Sequence, residues 1–271
     1  MPLLDAGLLG ILQGLTELFP FSSLGLLVIF PRLMHLTVPT SGTSYLPFLV
    51  ALHVGTATAL IIYFWREWVR IIGGWLATLR GQPNAPGRLG WMLILGTIPA
   101  GLVGLLFKHD LARLFGKPLM AAIFLLVNGA IMLLGDYIAR APRTNRFGRL
   151  GWRDALTVGV MQILALIPGL SRSGATITGG IFTGLDFEDA AHFSFLLATP
   201  IILAAGLAEL PKLHNGGVHG LLAPAIVGGV LAGITAWFAV RYLMRYFEVH
   251  RLTPFALISF ALGLIGLVFL A

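Results

Sequence analysis

The sequence predicts an all-α integral membrane protein in which six transmembrane helices and two re-entrant helical hairpins form two inverted repeats. Composition is the first observation behind this prediction. Of the 271 residues, 57% are apolar and 11% are charged, whereas soluble domains have roughly 25% charged residues. The mean hydropathy is +0.90, and a soluble domain could not bury so much apolar surface, since even a ~300-residue domain leaves about a quarter of its unfolded surface exposed.

The lengths of the apolar stretches are the second observation. A helix rises ~1.5 Å per residue, so about 20 apolar residues cross the hydrocarbon core of a bilayer. Six stretches meet this requirement, at 45–64, 89–107, 118–135, 190–208, 220–240 and 254–271. Two others, 3–36 and 155–185, are too long for one crossing and contain polar interruptions. Each is predicted to enter and leave the membrane on one side as a re-entrant hairpin.

The third observation is a similarity between the two hairpin segments. The string QGLTELFPFSS, which begins at Gln13, resembles QILALIPGLSRS, which begins at Gln162. Each hairpin is followed by three predicted spans, an odd number, so the second hairpin must enter the membrane from the opposite face. The chain then divides into a first inverted repeat at 1–136 and a second at 154–271, joined by a basic loop at 137–153.

Basic residues in the connections set the predicted orientation. Twelve arginines fall in the connections 65–88, 137–153 and 241–253, whereas the opposite side has five lysines and arginines. Because cytoplasmic loops have the excess of positive charge, the first side is predicted to be cytoplasmic and both termini to lie outside. Scattered loop cations also account for the formal net charge of +7 without a nucleic-acid partner.

Two charged residues lie deep within the apolar stretches, Glu17 at the break of the first hairpin and Arg172 at the break of the second. An ionised side chain at bilayer depth costs at least ~2.5 to 3.5 kcal/mol on insertion scales, so both are candidate functional residues. The repeat predicts that they meet near the middle of the membrane. The structural alternative is a buried salt bridge that only ties the repeats together.

Polar residues around these two charges predict an oxyanion site. A guanidinium binds phosphate through a planar fork of donors, and hydroxyls and loop amides add neutral donors. A lone carboxylate beside phosphate usually holds a divalent cation or moves a proton. Gln13 shares a helical face with Glu17 at i, i+4. Because the chain has no cysteine, thiol chemistry is excluded. The hydroxyl candidates are Ser22, Ser23, Ser171, Ser173 and Thr176.

Two histidines and a glutamine are weaker candidates. His53 lies within the first full span, where a histidine either hydrogen-bonds between helices or serves as a proton carrier. His192, near the start of the fourth span, and Gln162, in the second hairpin, are expected to serve packing or capping.

Two strings of the sequence resemble those of the undecaprenyl pyrophosphate phosphatase family, also known as the bacitracin-resistance family. They are ELFPFSS from Glu17 and, far more specific, PGLSRSGAT from Pro168. The resemblance covers nearly the whole chain. It implies a multi-pass phosphatase of the bacterial plasma membrane that converts undecaprenyl pyrophosphate to the monophosphate for carrier-lipid recycling in cell-envelope synthesis. It further implies a divalent cation, Mg²⁺ or Ca²⁺, and an active site that opens to the outer face.

The resemblance and the residue chemistry together give the candidate roles. The catalytic candidates are Glu17, Ser23 and Arg172, and Glu17 is also the candidate metal ligand. The candidates for substrate binding are Gln13, Ser22, Ser171, Ser173, Thr176 and His53. The family usually continues the first turn as Ser-Ser-Thr/Ser-Gly-His, but here Leu24 and Leu26 stand at the hydroxyl and histidine positions.

An alternative function is a polyprenyl-phosphate carrier or flippase that binds its lipid without hydrolysis. Inverted repeats with broken helices suit alternating access, and a chain without the family histidine could keep binding while losing hydrolysis. In either case the expected partners are the polyprenyl pyrophosphate lipid and the bilayer, with a homodimer as a candidate assembly.

Overall fold

The fold is helical throughout the part of the chain that the computed structural model describes, which is residues 1–37, 42–114, 117–141, 147–214 and 220–270. No strand occurs in these ranges, and the all-α prediction is confirmed. Residues 142–146 of the predicted basic loop lie outside the described ranges. The α-helices within them are α1 (Leu3–Thr16), α2 (Ser23–Leu33), α3 (Gly42–Tyr63), α4 (Trp65–Leu79), α5 (Ala85–Leu106), α6 (Lys108–Leu114), α7 (Pro118–Ile138), α8 (Trp152–Ile163), α9 (Arg172–Phe182), α10 (Phe187–Glu209), α11 (Pro211–His214), α12 (Leu222–Phe247) and α13 (Thr253–Leu270).

Within the described ranges, six helical segments are long and apolar enough to cross a membrane. They are Tyr45–Tyr63, Ala85–Leu106, Pro118–Ile138, Phe187–Leu213, Leu222–Phe247 and Thr253–Leu270, and each overlaps one predicted span. The fourth begins at Phe187 because Asp186 caps α10: its side chain accepts a hydrogen bond from the Asp189 amide, which satisfies a free backbone donor. The chain is a multi-pass membrane protein.

The connection at 65–88, predicted as a loop, contains the amphipathic helix α4. One face presents exposed Val69, Ile72 and Leu76, while Ile71 is buried against the protein. Charged residues between these apolar positions lower the mean hydropathy of the segment, so the sequence did not predict an apolar helix here. A helix with an exposed apolar stripe and arginines beside it suits the membrane–water interface.

Two pairs of short helices meet at the breaks that hold the predicted site residues. The pair α1 and α2 flanks the first break, and the pair α8 and α9 flanks the second. At each break a serine caps the following helix, because the hydroxyls of Ser22 and Ser171 accept hydrogen bonds from the amides of Gly25 and Gly174. Gly169, with φ +102, has a left-handed conformation that a larger side chain would strain. The common capping explains part of the similarity between the two strings.

Packing across the chain holds both breaks in place. Helix α1 packs against α12, and α8 packs against α5. Both contacts are close: a Cβ added at Gly10 would lie 2.2 Å from the Gly228 carbonyl oxygen, and one at Gly159 would lie 2.5 Å from the Gly96 carbonyl oxygen. Helix α7 contacts both α9 and α13. The residues that end α1 and begin α9 are thereby fixed inside the helical bundle.

Candidate active site

Glu17 lies at the C-terminal end of α1, where it is 5% exposed. Its Oε2 accepts hydrogen bonds from Gln13 Nε2 at 2.9 Å and from Ser23 Oγ at 2.6 Å. Gln13 reaches it because it lies one helical turn earlier, and Ser23 reaches it because α2 begins directly after the break. The first hairpin therefore supplies two of the hydrogen bonds that hold the carboxylate.

Arg172 is the first residue of α9 and approaches the same carboxylate from the second break. Its Nη2 and Nε lie 3.3 and 3.4 Å from Glu17 Oε1, and its Nη1 donates to the Ser194 carbonyl at 3.1 Å. The structure thus brings together the two charges that the sequence placed deep in the membrane. Both contacts to Glu17 are long and share one oxygen, so the guanidinium fork is not saturated as it is in a parallel bidentate pair.

His53, on α3, completes the contacts of the carboxylate. Its Nδ1 lies 2.7 Å from the Leu49 carbonyl oxygen and its Nε2 lies 3.2 Å from Glu17 Oε2. A carbonyl only accepts, so Nδ1 is the donor to Leu49. The contact between Nε2 and Oε2 is then attractive only if a proton lies between them, on one atom or the other. His53 thus makes the interhelical hydrogen bond that one sequence interpretation expects, and its role as a proton carrier stays a prediction.

The leucine at the family's histidine position lies on α2. Leu26 is buried and stands at i, i+3 from Ser23, on the same helical face. The imidazole beside Glu17 in this chain comes instead from α3. The signal for this was present in the sequence, since His53 stands within a predicted span, but sequence alone could not show that α3 brings it to the first break.

The other predicted hydroxyls divide into two groups. Ser22 and Ser171 line the cavity that contains Glu17. Ser173 and Thr176 are fully buried: Ser173 Oγ donates to the Phe19 carbonyl at 3.0 Å, and Thr176 Oγ1 lies 2.6 Å from a serine hydroxyl of α10. In this structure the last two tie the second break to its neighbours, and their role in substrate binding stays a prediction.

Asn128 is a site residue that the sequence analysis missed. It is 1% exposed on α7, its Nδ2 donates to the Pro20 carbonyl at 2.8 Å and its Oδ1 accepts from the Ser171 amide at 2.9 Å. Nδ2 also contacts Ser259 Oγ at 3.1 Å. One amide therefore bonds to both breaks and to α13. The available signal was a single asparagine in the middle of an otherwise apolar span.

Asn128→Leu is expected to lower the thermal unfolding midpoint in detergent and to reduce activity. The change leaves buried groups at both breaks without partners, and each unsatisfied group costs about 1–3 kcal/mol. Leu134→Ala, which shortens an exposed side chain of the same helix, is the control and is expected to unfold near the wild-type midpoint. If both variants unfold at the wild-type temperature, Asn128 does not hold the breaks together.

A cavity of about 340 Å³ is lined both by the site residues and by Lys108, whose 35% exposed side chain marks the end called here the mouth. Glu17, Ser23, His53 and Arg172 lie at its polar end. Its walls are mostly apolar side chains and glycines of α3, α5 and α10, and Lys108 and Glu209 line it beyond them. The shape and lining suit an amphiphilic ligand with a phosphate head and a hydrocarbon tail.

The donor set around Glu17 fits a divalent cation only with help from a ligand. Gln13 Oε1 is buried and has no hydrogen-bond partner, so an amide oxygen stands beside the carboxylate. In the described part of the chain, no group of three or more His, Cys, Asp or Glu could hold a metal ion. Mg²⁺ is commonly bound by one or two carboxylates together with substrate phosphates and water. Glu17 and Gln13 fit that pattern, with phosphate oxygens completing the ligands.

The remaining sequence candidates take different positions. His192 does not meet Glu17; its Nε2 lies 2.8 Å from Glu67 Oε2, and its ring stacks on Phe64 and Phe147. The packing prediction for it is confirmed, and the structure adds the polar contact with Glu67. Gln162 lines the cavity with its Oε1 unpartnered, while its Nε2 donates to the Gly96 carbonyl at 3.4 Å.

The fold and the site define an integral membrane protein with a buried centre of charged and hydroxyl side chains at an apolar-walled cavity. Comparison with protein families places it further. The chain belongs to the bacitracin resistance protein BacA family, whose model matches residues 6–265. The resemblance that the two polar strings predicted is confirmed.

Curated relatives extend along nearly the whole chain. It is 43% identical to undecaprenyl-diphosphatase 2 of Chromobacterium violaceum over 273 residues, covering 99% of both chains. It is 45% identical to the undecaprenyl-diphosphatase of Acidiphilium cryptum, covering 98% of this chain and 97% of the relative. It is 50% identical to undecaprenyl-diphosphatase 2 of Burkholderia thailandensis, covering 94% and 92% respectively.

Proposed function

We propose that the protein is an integral membrane phosphatase that hydrolyses undecaprenyl pyrophosphate to the monophosphate and so returns the carrier lipid to cell-envelope synthesis. The observation that carries this function is the contact of Glu17 with Arg172, Ser23 and His53 at the polar end of one cavity. Phosphoryl transfer needs mostly positioning and neutralisation of charge. The relatives are named diphosphatases, and no observation favours a carrier that binds without hydrolysis.

Arg172 and the first turn of α9 bind the terminal phosphate in this proposal. Arg172 offers a planar fork of donors, and the N-terminus of the 11-residue helix adds backbone amides and a favourable dipole. The phosphate would share Arg172 with Glu17, whose contacts to it are long. The isoprenoid tail then lies along the apolar walls, where its burial is favourable.

Ser23 is the proposed nucleophile. Its hydroxyl already donates to Glu17 at 2.6 Å, so its proton can pass to the Glu17–His53 pair as Oγ bonds to the terminal phosphorus. The anhydride P–O bond breaks, and the lipid monophosphate leaves with the bonding electrons. The pair passes the serine proton to the leaving monophosphate. Water then attacks the phosphorus of the phosphoserine and gives a proton to the pair, which returns it to Ser23 Oγ as the Oγ–P bond breaks and inorganic phosphate leaves. Acid quenching during turnover tests this step, because direct attack by a water would leave no phosphate on Ser23.

A divalent cation, Mg²⁺ or Ca²⁺, belongs to the proposal. Glu17 and Gln13 Oε1 would hold it together with the phosphate oxygens. When bound, it would supply neutralisation of the diphosphate charge. Removal of divalent cations by a chelator is expected to abolish turnover, and addition of Mg²⁺ or Ca²⁺ is expected to restore it; full activity in the chelator would remove the cation from the proposal.

We also propose the finer architecture of two re-entrant hairpins within inverted repeats. Three features of the packing support it: the first spans α3 and α10 contact each other, the third spans α7 and α13 contact each other, and each second span packs on the first hairpin helix of the opposite half. With the predicted orientation in a bacterial plasma membrane, the mouth at Lys108 and Glu209 faces outside. A homodimer is a candidate assembly that mass measurement in detergent would test.

The deciding experiment is a phosphate-release assay. Protein purified in detergent is given undecaprenyl pyrophosphate and Mg²⁺ or Ca²⁺, and the expected result is release of inorganic phosphate with the lipid monophosphate as the other product. Glu17→Gln is the matched inactive variant, since it removes the charge at nearly constant size. A protein that binds the lipid but releases no phosphate would overturn the phosphatase and favour the carrier.

The orientation can be measured with single cysteines, because the chain has none of its own. Arg80→Cys, at the exposed end of α4, is expected to react with a membrane-impermeant maleimide only from the cytoplasm. Arg113→Cys, at a side chain that is 79% exposed, is expected to react only from outside. Labelling of both from one side would contradict the predicted orientation.

A further inference from the structure

Three charged side chains, Lys108, Glu209 and Lys212, form a cluster called here the mouth cluster. Lys108 and Glu209 line the cavity, and Lys212 is hydrogen-bonded to Glu209. Lys108 begins α6 and forms a close ion pair with Glu209 Oε1. Lys212, in α11, donates to Glu209 Oε2 at 2.8 Å. The carboxylate is nearly buried, while the two lysines are 35% and 46% exposed. One buried carboxylate therefore holds two partly exposed ammonium groups side by side.

Two of the three residues of the mouth cluster line the same cavity as the proposed catalytic residues. Lys108 and Glu209 line that cavity together with Glu17 and Arg172, and the wall between the two charged ends includes glycines, alanines and leucines. An apolar wall offers an anion no hydrogen bonds. A phosphate that travels between the membrane surface and Arg172 therefore meets fixed positive charge first at the mouth.

The charges and donors of the mouth cluster favour an anion. Two ammonium groups against one carboxylate leave one positive charge in excess. An ammonium has several N–H donors, so hydrogen bonds to Glu209 leave donors free on both lysines. The pKa of Lys108 lies above its usual range because its ammonium is hydrogen-bonded to Glu209, so this lysine stays charged at neutral pH.

We propose that Lys108 and Lys212 form an outer anion-binding subsite for a phosphate or diphosphate group, with Glu209 holding the two ammonium groups in position. This inference rests on the proposed function, because it places the subsite on the path to the same catalytic residues. The ligand is the diphosphate head of the lipid on its way in or the inorganic phosphate on its way out. The subsite contributes to capture and release and takes no part in bond breaking.

The test compares Lys108→Gln/Lys212→Gln with the wild type. If the lipid head uses the subsite, the double variant raises KM for the lipid diphosphate by about tenfold, at the low end of electrostatic effects on association, with kcat within about twofold. Higher salt should then weaken kcat/KM of the wild type more than that of the variant. If released phosphate uses it, the variant instead weakens inhibition by inorganic phosphate. Unchanged values of both quantities would overturn the subsite.

Two further variants separate an anion subsite from a structural tie. Glu209→Gln keeps a side-chain oxygen that accepts hydrogen bonds from the lysines and increases the excess positive charge at the mouth, so the subsite predicts a KM at or below the wild-type value. A KM raised as much as in the lysine variant would mean that the ion pairs only join α6 to α10, and the subsite would be wrong. Arg113→Gln, also on α6 but paired with Asp110, is the control and should leave KM unchanged.

A binding measurement tests the subsite independently of whether the protein hydrolyses its substrate. Inorganic pyrophosphate is titrated calorimetrically into the purified wild type and the double lysine variant, both with the same unfolding midpoint. Weaker binding to the variant supports the subsite even if the wild type hydrolyses nothing, in which case the proposed function alone fails. Equal binding to both proteins, with hydrolysis intact, contradicts the subsite and leaves the phosphatase standing.

Discussion

Arg172→Lys is expected to reduce kcat/KM for the lipid diphosphate by about 10² to 10³-fold, the range for loss of one preorganised donor to a developing oxyanion. The positive charge is retained, but a compact ammonium cannot reproduce the planar fork that contacts Glu17 and the Ser194 carbonyl together. Steady-state hydrolysis and phosphate release measure the effect.

The control for this variant is Arg153→Lys, a change at an arginine near the start of α8 that lies over the Trp152 ring and is expected to keep wild-type turnover. Equal unfolding midpoints of the two variants would exclude a loss of folded protein. Turnover of Arg172→Lys near that of the wild type would show that Arg172 acts as a diffuse charge, and the proposed phosphate geometry would be wrong.

The sequence predicted those site residues that can be recognised from the free-energy cost of placing a charged side chain inside the membrane. A charge at bilayer depth is expensive wherever it lies, so Glu17 and Arg172 could be recognised without any knowledge of the fold. The spans could be predicted for the same reason, because length and hydropathy are local properties of the chain. Only the convergence of the two charges needed the further assumption of a repeat.

The sequence did not predict the roles of residues that act through contacts with residues far away along the chain. Asn128 looks like one polar residue in an apolar helix until Pro20 and Ser171 are placed on either side of it. The mouth cluster likewise joins α6 to residues about a hundred positions later. Ser173 and Thr176 belong to the second break as predicted, but only side-chain directions could show which groups of the protein their hydroxyls contact.

His53→Gln is expected to lower kcat by about 10² to 10⁴-fold, the usual contribution of a positioned acid or base. The amide can hydrogen-bond to Glu17 but cannot take the proton of Ser23, and no other imidazole is seen at Glu17 in the described part of the chain. The control is His192→Gln, because His192 pairs with Glu67 away from Glu17. A His53→Gln variant with the wild-type kcat would mean that Glu17 accepts the Ser23 proton without His53.

Leu26→His then tests whether His53, on α3, takes the role of the histidine that the family has at the position of Leu26, on α2. Leu26 and Ser23 share a helical face, so a histidine at 26 would lie beside the proposed nucleophile. In the wild type the change is expected to raise turnover less than roughly tenfold, below the usual acid–base range, because His53 already serves the carboxylate. In the His53→Gln background the same change should restore more than about tenfold, since there the imidazole is missing. A gain above about a hundredfold in the wild type, inside that range, would instead show that His53 does not replace the family histidine and that the natural site is impaired.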